Sequence, residues 1–188
     1  KRSYNWVRLT LQAHGRIRPA PRRGAHRRRR PRRPVVGMML HQDASSHDWV
    51  ADEIWDLVVT LDDATSEVYS GFFVAQEGTM STFQALSEVI AAKGLFCSLY
   101  ADRGSHYWHT PEAGGRVDKD NPTQVGRALA QLGIELIAAY SPQARGRSER
   151  MFATLQKRLP QELRLAGITT RAEANRFLEQ VFWPAHNA

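Results

Sequence analysis

The chain has 188 residues and is 42% hydrophobic, enough for one good domain with an appendage. No apolar run approaches the ~18 residues of a membrane span, the basic N-terminus lacks the apolar stretch of a signal peptide, and a lone Cys97 excludes an internal disulfide or a cysteine-based zinc site. The net charge of +7 conceals a split: residues 1–40 hold 13 Lys and Arg and no acid, and the remainder holds 13 bases against 19 acids, a balance of −6. A basic arm suits a polyanionic partner, and an acidic body suits bound cations. An intracellular protein fits these features, with Cys97, inside an apolar run, expected to pack in the core.

In chain order, Ser3 to Gly15 reads as a short helix, with Ser3 as cap and Gly15 as terminator. It is too short to stand alone in water. It is expected to be the remnant of a DNA-binding helix-turn-helix over residues 1–15, with Lys1, Arg2, Asn5 and Arg8 as polar contacts; an ordinary amphipathic helix is the plainer alternative. Residues 16–34 form a linker with ten Arg and with Pro19, Pro21, Pro31 and Pro34, expected to be disordered. Guanidinium runs of this density fit phosphate, so Arg27, Arg28, Arg29, Arg30, Arg32 and Arg33 are candidate DNA contacts.

Val35 to Asp43 reads as a first strand ending at a carboxylate. Ile54–Leu61 and Val68–Val74 flank a turn at Asp62–Ser66 and make a hairpin, in which Asp62 and Asp63 shape the turn rather than serve as catalytic acids. Thr79 to Lys93 is a helix with a Ser81/Gln84 capping box, a buried face of Phe83, Leu86, Val89 and Ile90, and Gly94 at its end. The apolar run Leu95–Tyr100 is a fourth strand that delivers Asp102 to the sheet edge before the chain breaks at Gly104. Asp102 alone also reads as an ordinary turn residue; Asp43 and Glu149 give it company.

His106 to Thr123 is irregular and polar. His106 and His109 lack the third nitrogen or thiol that zinc needs, and Asp118 and Asp120 are expected in solvent. Thr123–Leu132 is a helix and Ile134–Ala138 a fifth strand. Ser141-Pro142 opens a helix that carries Glu149, buries Phe152, Leu155 and Leu159, and ends or kinks at Pro160. A last helix starts at a Thr170/Glu173 capping box and buries Ala174, Phe177, Leu178 and Val181. Trp49, Trp55 and Trp108 either stack on DNA or pack. The order βββαβαβα describes a mixed five-stranded sheet flanked by helices. If strands one and four are neighbours, Asp43 and Asp102 converge. Crowded carboxylates repel unless cations lie between them, and Mg²⁺ accepts a sparse acid cluster.

The strings HQDASSHDW, LYADRGSHYW and YSPQARGRSERMFATLQKRL resemble the three acidic motifs of insertion-sequence transposases. These belong to the retroviral-integrase superfamily, which has a DDE core on an RNase H-like fold. LVVTLDDATSEVYSGFF resembles the intervening strand pair, and together the strings resemble the ISNCY group. The resemblance covers residues 35–188. It implies an RNase H-like catalytic core with Asp43, Asp102 and Glu149 as catalytic and metal-binding acids, and Mg²⁺ or Mn²⁺, two ions, as cofactor. It also implies DNA ends and target as partners, a homo-oligomer on DNA, no membrane, and a bacterial cytoplasmic, nucleoid-associated location. Metal-dependent phosphodiester hydrolysis and strand transfer is the implied reaction. Arg103, Arg145, Arg147, Arg150 and Lys157 join the candidate DNA contacts.

Two features depart from the family. Between Asp102 and Glu149 lie 46 residues, more than is usual, and the polar stretch His109 to Pro122 accounts for the excess as a loop. Where integrases often carry a DNA-gripping lysine on the glutamate helix, this chain has Ala153 and Gln156, leaving Lys157, Arg158 or Arg150 to take that part. The alternatives are an RNase H-like nuclease acting on hybrids and an inactive, truncated DNA-binding remnant.

Overall fold

A computed structural model describes residues 2–17, 31–50, 53–112, 115–140 and 146–188, with the side chain of residue 147 excepted. The described residues fall into two units, 1–31 and 32–188. In the first, helix α1 (Tyr4–Ala13) is capped by the Ser3 hydroxyl, which accepts from Trp6 N at 3.2 Å, and the chain leaves it through Gly15 at φ +65°. Most of the linker, including Arg27, Arg28, Arg29 and Arg30, lies outside the described residues.

The second unit is built on a five-stranded sheet in the order β3-β2-β1-β4-β5. Its strands are β1 (Leu40–Val50), β2 (Glu53–Asp62), β3 (Val68–Val74), β4 (Ser98–Ala101) and β5 (Glu135–Ala138). The pairs β1/β2 and β2/β3 are antiparallel; β1/β4 and β4/β5 are parallel. The mixed sheet expected from the order of elements is present, with strands one and four adjacent. Helices α2 (Thr79–Lys93), α3 (Gln124–Gln131), α4 (Gly146–Leu165), α5 (Arg171–Phe177) and α6 (Trp183–Asn187) flank it, and a π-helical turn joins α5 to α6.

Buried clusters lie on both sides of the sheet. One holds Leu57, Val59 and Leu61 of β2 with Phe152, Leu155, Leu159 and Leu163 of α4. Another holds Leu40, Leu99, Leu86, Val89, Val125 and Leu129 with Tyr107 and Trp108. Directly opposite residues of an antiparallel pair share a face. Asp43 faces Val59 and Ser45 faces Leu57, so the odd-numbered residues of β1 look toward α4. The Gln156 amide confirms this by donating to Ser45 Oγ at 2.8 Å.

Several expectations are corrected. The first strand starts at Leu40, not Val35, because Gly37 at φ +76° and Met38 N donating to Val35 O turn the chain first. It runs on to Val50, so Asp43 sits within the strand; the polar stretch Ala44–Asp48 stays extended because β2 pairs with it throughout. Cys97 is exposed, since it precedes β4 rather than lying in it. At α2, Gly78 is the cap, with Gly78 N donating to Ser81 Oγ, while Gln84 bonds Glu88. Helix α4 continues through Pro160 to Leu165, since Leu159 and Leu163, both fully buried, hold the turns on either side. Val181 is exposed; the π-helical turn at Leu178–Phe182 adds a residue to the period and sends Phe182 inward instead. Trp49, Trp55 and Trp108 are buried, which settles them as packing residues. The Thr170/Glu173 capping box forms as expected. Among the described residues, no helix is long and apolar enough to cross a membrane.

Candidate active site

The site is built where β1 and β4 run side by side. Their parallel register pairs Leu40 with Leu99 and His41 with Tyr100. The same offset carried two residues further sets Asp43 level with Asp102, one residue beyond β4. Asp43 is buried, and its Oδ1 accepts from Ala44 N at 2.9 Å. Asp102 Oδ1 accepts from Gly104 N at 2.7 Å, which folds the loop back on the carboxylate. A Cβ at position 104 would stand 2.9 Å from that oxygen and 3.0 Å from the His106 ring, so any other residue forces the carboxylate, the imidazole or the loop to move.

Two residues that the motifs did not single out brace this pair. Gly104 O accepts from Tyr107 N and from Trp108 N, closing one helical turn. The Tyr107 hydroxyl, beneath the sheet, donates to Gln42 Oε1 at 3.0 Å, and Gln42 is the neighbour of Asp43. Burial, above all, pushes the Tyr107 phenol well above its ordinary value of 10, and the charges of Glu77, Asp102 and Asp43 add to the shift. It therefore stays a protonated donor, and both aspartates lie within electrostatic reach of one hydroxyl. The signal for Tyr107 was a tyrosine five residues past the acid in an otherwise polar loop; for Gln42, a polar residue inside an apolar strand.

Glu149 lies in the first turn of α4 and is exposed, while the preceding Ser148 is buried. Helix α4 packs along β1, over the face that Asp43 shares. Among the described residues, no group of three His, Cys, Asp or Glu stands ready to hold a metal ion. One acid is set within β1, the second just past the end of the neighbouring β4, and the third rides on a helix laid over β1.

The other candidates have varied surroundings. Arg103 donates to Gly115 O and stacks on the Tyr140 ring at 5.2 Å, tying the polar insert to the end of β5. Arg32 donates to Ala64 O at 2.8 Å, and Arg33 N donates to Asp63 Oδ2 at 2.7 Å. Arg150 Nε donates to Gly146 O at 2.8 Å, and Lys157 is exposed. Arg145, the Arg147 side chain and the Ser141-Pro142 cap lie outside the described residues. Asp62 and Asp63 shape the hairpin turn: Asp62 accepts from Gly37 N, Ala64 N and Thr65 N, and Asp63 is paired with His41 at 2.7 Å. His106 stands 3.4 Å from Glu77, and His109 stands 3.8 Å from Asp118. Asp118 is not simply solvated, since it caps the turn at Asp120 and Asn121.

No protein-family model matches the chain. It is 36% identical over 149 residues to the transposase for insertion sequence IS1202 of Streptococcus pneumoniae, covering 79% of this chain and 32% of that protein. It is 38% identical over 157 residues to the putative transposase y4bF of Sinorhizobium fredii, covering 79% and 33%. The chain spans about a third of the length of these curated relatives. Among solved structures, the simian T-cell lymphotropic virus intasome in complex with a PP2A regulatory subunit matches with a TM-score of 0.65 at 16% identity, over 95% of this chain and 62% of that one. The catalytic core of HTLV-2 integrase in complex with magnesium matches at 0.55 and 14%, over 78% and 89%. The chain is homologous to insertion-sequence transposases and has the RNase H-like fold of retroviral integrase catalytic cores.

Proposed function

We propose that this chain is the catalytic core segment of a DDE-type DNA transposase that cuts element ends and joins them to target DNA. Asp43, Asp102 and Glu149 hold divalent cations, Mg²⁺ or Mn²⁺, two in number. The observation that supports the reading is the parallel register of β1 and β4, whose offset levels Asp43 with Asp102, together with the packing of the Glu149-bearing helix α4 along β1. Hard carboxylate oxygens are the donors such ions prefer. The magnesium found with the HTLV-2 integrase core supports the choice of ion.

Divalent ions bound there supply Lewis-acid stabilisation of the attacking and leaving oxygens in an in-line phosphoryl displacement. The chain's own groups do the positioning. The Ala44 and Gly104 amides orient the two aspartates. The Tyr107–Gln42 bond holds the loop of one acid to the strand of the other. Glu149 is delivered by α4, and no covalent enzyme intermediate is involved. The arginines of residues 27–33 with Arg145, Arg147, Arg150 and Lys157 contact DNA phosphates, while Arg103 holds the insert. The chain acts as a homo-oligomer on DNA, a reading supported by the dimeric and trimeric forms named for the HTLV-2 core.

The test is Mn²⁺-dependent nicking and joining of DNA duplexes, with an RNA–DNA hybrid in parallel. Nicking of duplex DNA that disappears in Asp102→Asn is expected. Full activity in that variant, or cutting confined to the hybrid, would overturn the assignment.

A further inference from the structure

A cavity of about 360 Å³ opens between the linker exit, the β2–β3 turn, the first turns of α4 and the C-terminal helix. Arg32, Ser66, Arg150, Thr154 and His186 line it above an apolar floor, and no carboxylate does. We infer that this cavity binds one phosphate of a DNA strand and thereby couples DNA engagement to the helix that carries Glu149.

Both arginines are held by backbone carbonyls rather than by acids: Arg32 Nη1 donates to Ala64 O and Asp63 O, and Arg150 Nε donates to Gly146 O. Each guanidinium has five N–H donors in a planar fork that suits a phosphate, and these bonds use only some of them. The Thr154 hydroxyl is spent on Arg150 O, so anion binding falls to the guanidiniums.

The linker arginine is not there by chance. Arg33 N donates to Asp63 Oδ2 and Gly37 N donates to Asp62 Oδ1, so the two buried turn aspartates pin the chain on both sides of Pro34 and hold Arg32 at the rim. His186 reports the electrostatics. It is half-buried, and burial, then the nearby charge of Arg158, lowers its pKa from 6.5. A phosphate seated here touches at once the residue next to Glu149 and the root of the basic arm.

This inference rests on the transposase reading only for the source of the phosphate. Two measurements test it on the chain as it stands. First, binding of a short DNA duplex is followed across a salt series. If Arg32 and Arg150 share one phosphate, Arg32→Ala and Arg150→Ala each reduce the salt slope by less than one, and the double variant reduces it by about one. A double-variant loss of about two, or of none, overturns the proposal.

Second, inorganic phosphate is titrated into the DNA-free chain while the His186 imidazole resonance is followed. A saturable shift that vanishes in the double variant is expected; a resonance indifferent to phosphate overturns the site. A phosphate-responsive chain that never nicks DNA would sink the transposase reading alone. Nicking without the phosphate response would sink this inference alone.

Discussion

Asp43 and Asp102 sit on or beside strands hydrogen-bonded across the middle of the sheet, whereas Glu149 rides on the exposed first turn of a helix. Each aspartate has an oxygen held by a backbone amide within two residues, and a buried tyrosine ties their two segments together. Helix α4 is fastened to β1 further along, through Gln156 and the leucines at 155, 159 and 163. The contrast separates two acids fixed by the sheet from one carried on a helix. The third carboxylate stands exposed there; under the proposed function, cations and DNA would draw it toward the other two.

The largest effects should separate the two classes of acid. Asp43→Asn or Asp102→Asn should abolish Mn²⁺ binding by the DNA-free chain and cost nicking more than the ~10²–10³-fold typical of one lost transition-state contact. Glu149→Gln should lose nicking to a similar extent but leave DNA-free Mn²⁺ affinity nearly unchanged, as calorimetric titration would read. Equal loss of Mn²⁺ affinity in all three would erase the distinction drawn here.

Gly104→Ala tests the preset half more gently. The added methyl meets Asp102 Oδ1 at 2.9 Å and the His106 ring at 3.0 Å, so the acid or the imidazole must yield. Mn²⁺ affinity should fall about 10–100-fold, the usual range for a disturbed ligand support. Wild-type affinity would show that the loop gives way without moving the carboxylate.

Tyr107→Phe removes the donor on Gln42 Oε1, and the Gln42 amide nitrogen already lacks a partner. Leaving that buried amide unpaired should cost about 1–3 kcal/mol in denaturant unfolding. The bracing role predicts an accompanying drop in Mn²⁺ affinity; a stability loss with no change in metal binding would make Tyr107 a core residue only.

The helix α2, strand β3 and the Thr170 box were legible in the sequence because each carries its own punctuation: Gly94 at φ +84°, the Asp62–Ser66 turn, and a hydroxyl three residues before a glutamate. The start of β1 was not, because the apolar stretch Val35–Leu40 crosses a glycine turn and periodicity cannot register φ. Pro160 misled for the opposite reason, since burial of Leu159 and Leu163 outweighs one lost helical bond. The candidate acids at 43, 102 and 149 were singled out from motif and strand order, whereas the adjacency of β1 and β4 was only a condition of their convergence, which the sheet order meets. The Gln42–Tyr107 brace and the cavity at Arg32 and Arg150 were not, because both join residues far apart in the chain through side chains that carry no local pattern.

The smallest expected effect concerns His186, on the wall of the phosphate cavity. Its pKa is lowered in the folded chain, by burial first and by Arg158 second. As pH falls through the unfolded value of 6.5, the unfolded chain takes up a proton that the folded chain resists, so stability drops toward acid and the effect vanishes above neutrality. His186→Gln should flatten the stability profile in that window; at neutral pH the lost ring packing on Phe182 and Trp183 should lower the melting temperature by no more than roughly the shift of a half-exposed substitution, as a thermal melt would read. Phosphate should do the same to the wild-type chain, because an anion between the guanidiniums favours the protonated imidazole. The acid-side loss should therefore shrink on adding phosphate to wild type and be insensitive to it in the Arg32→Ala, Arg150→Ala double variant. A profile unmoved by phosphate would show that no anion reaches the histidine, leaving burial against Phe182 and Trp183 and the charge of Arg158 as the sources of its shift.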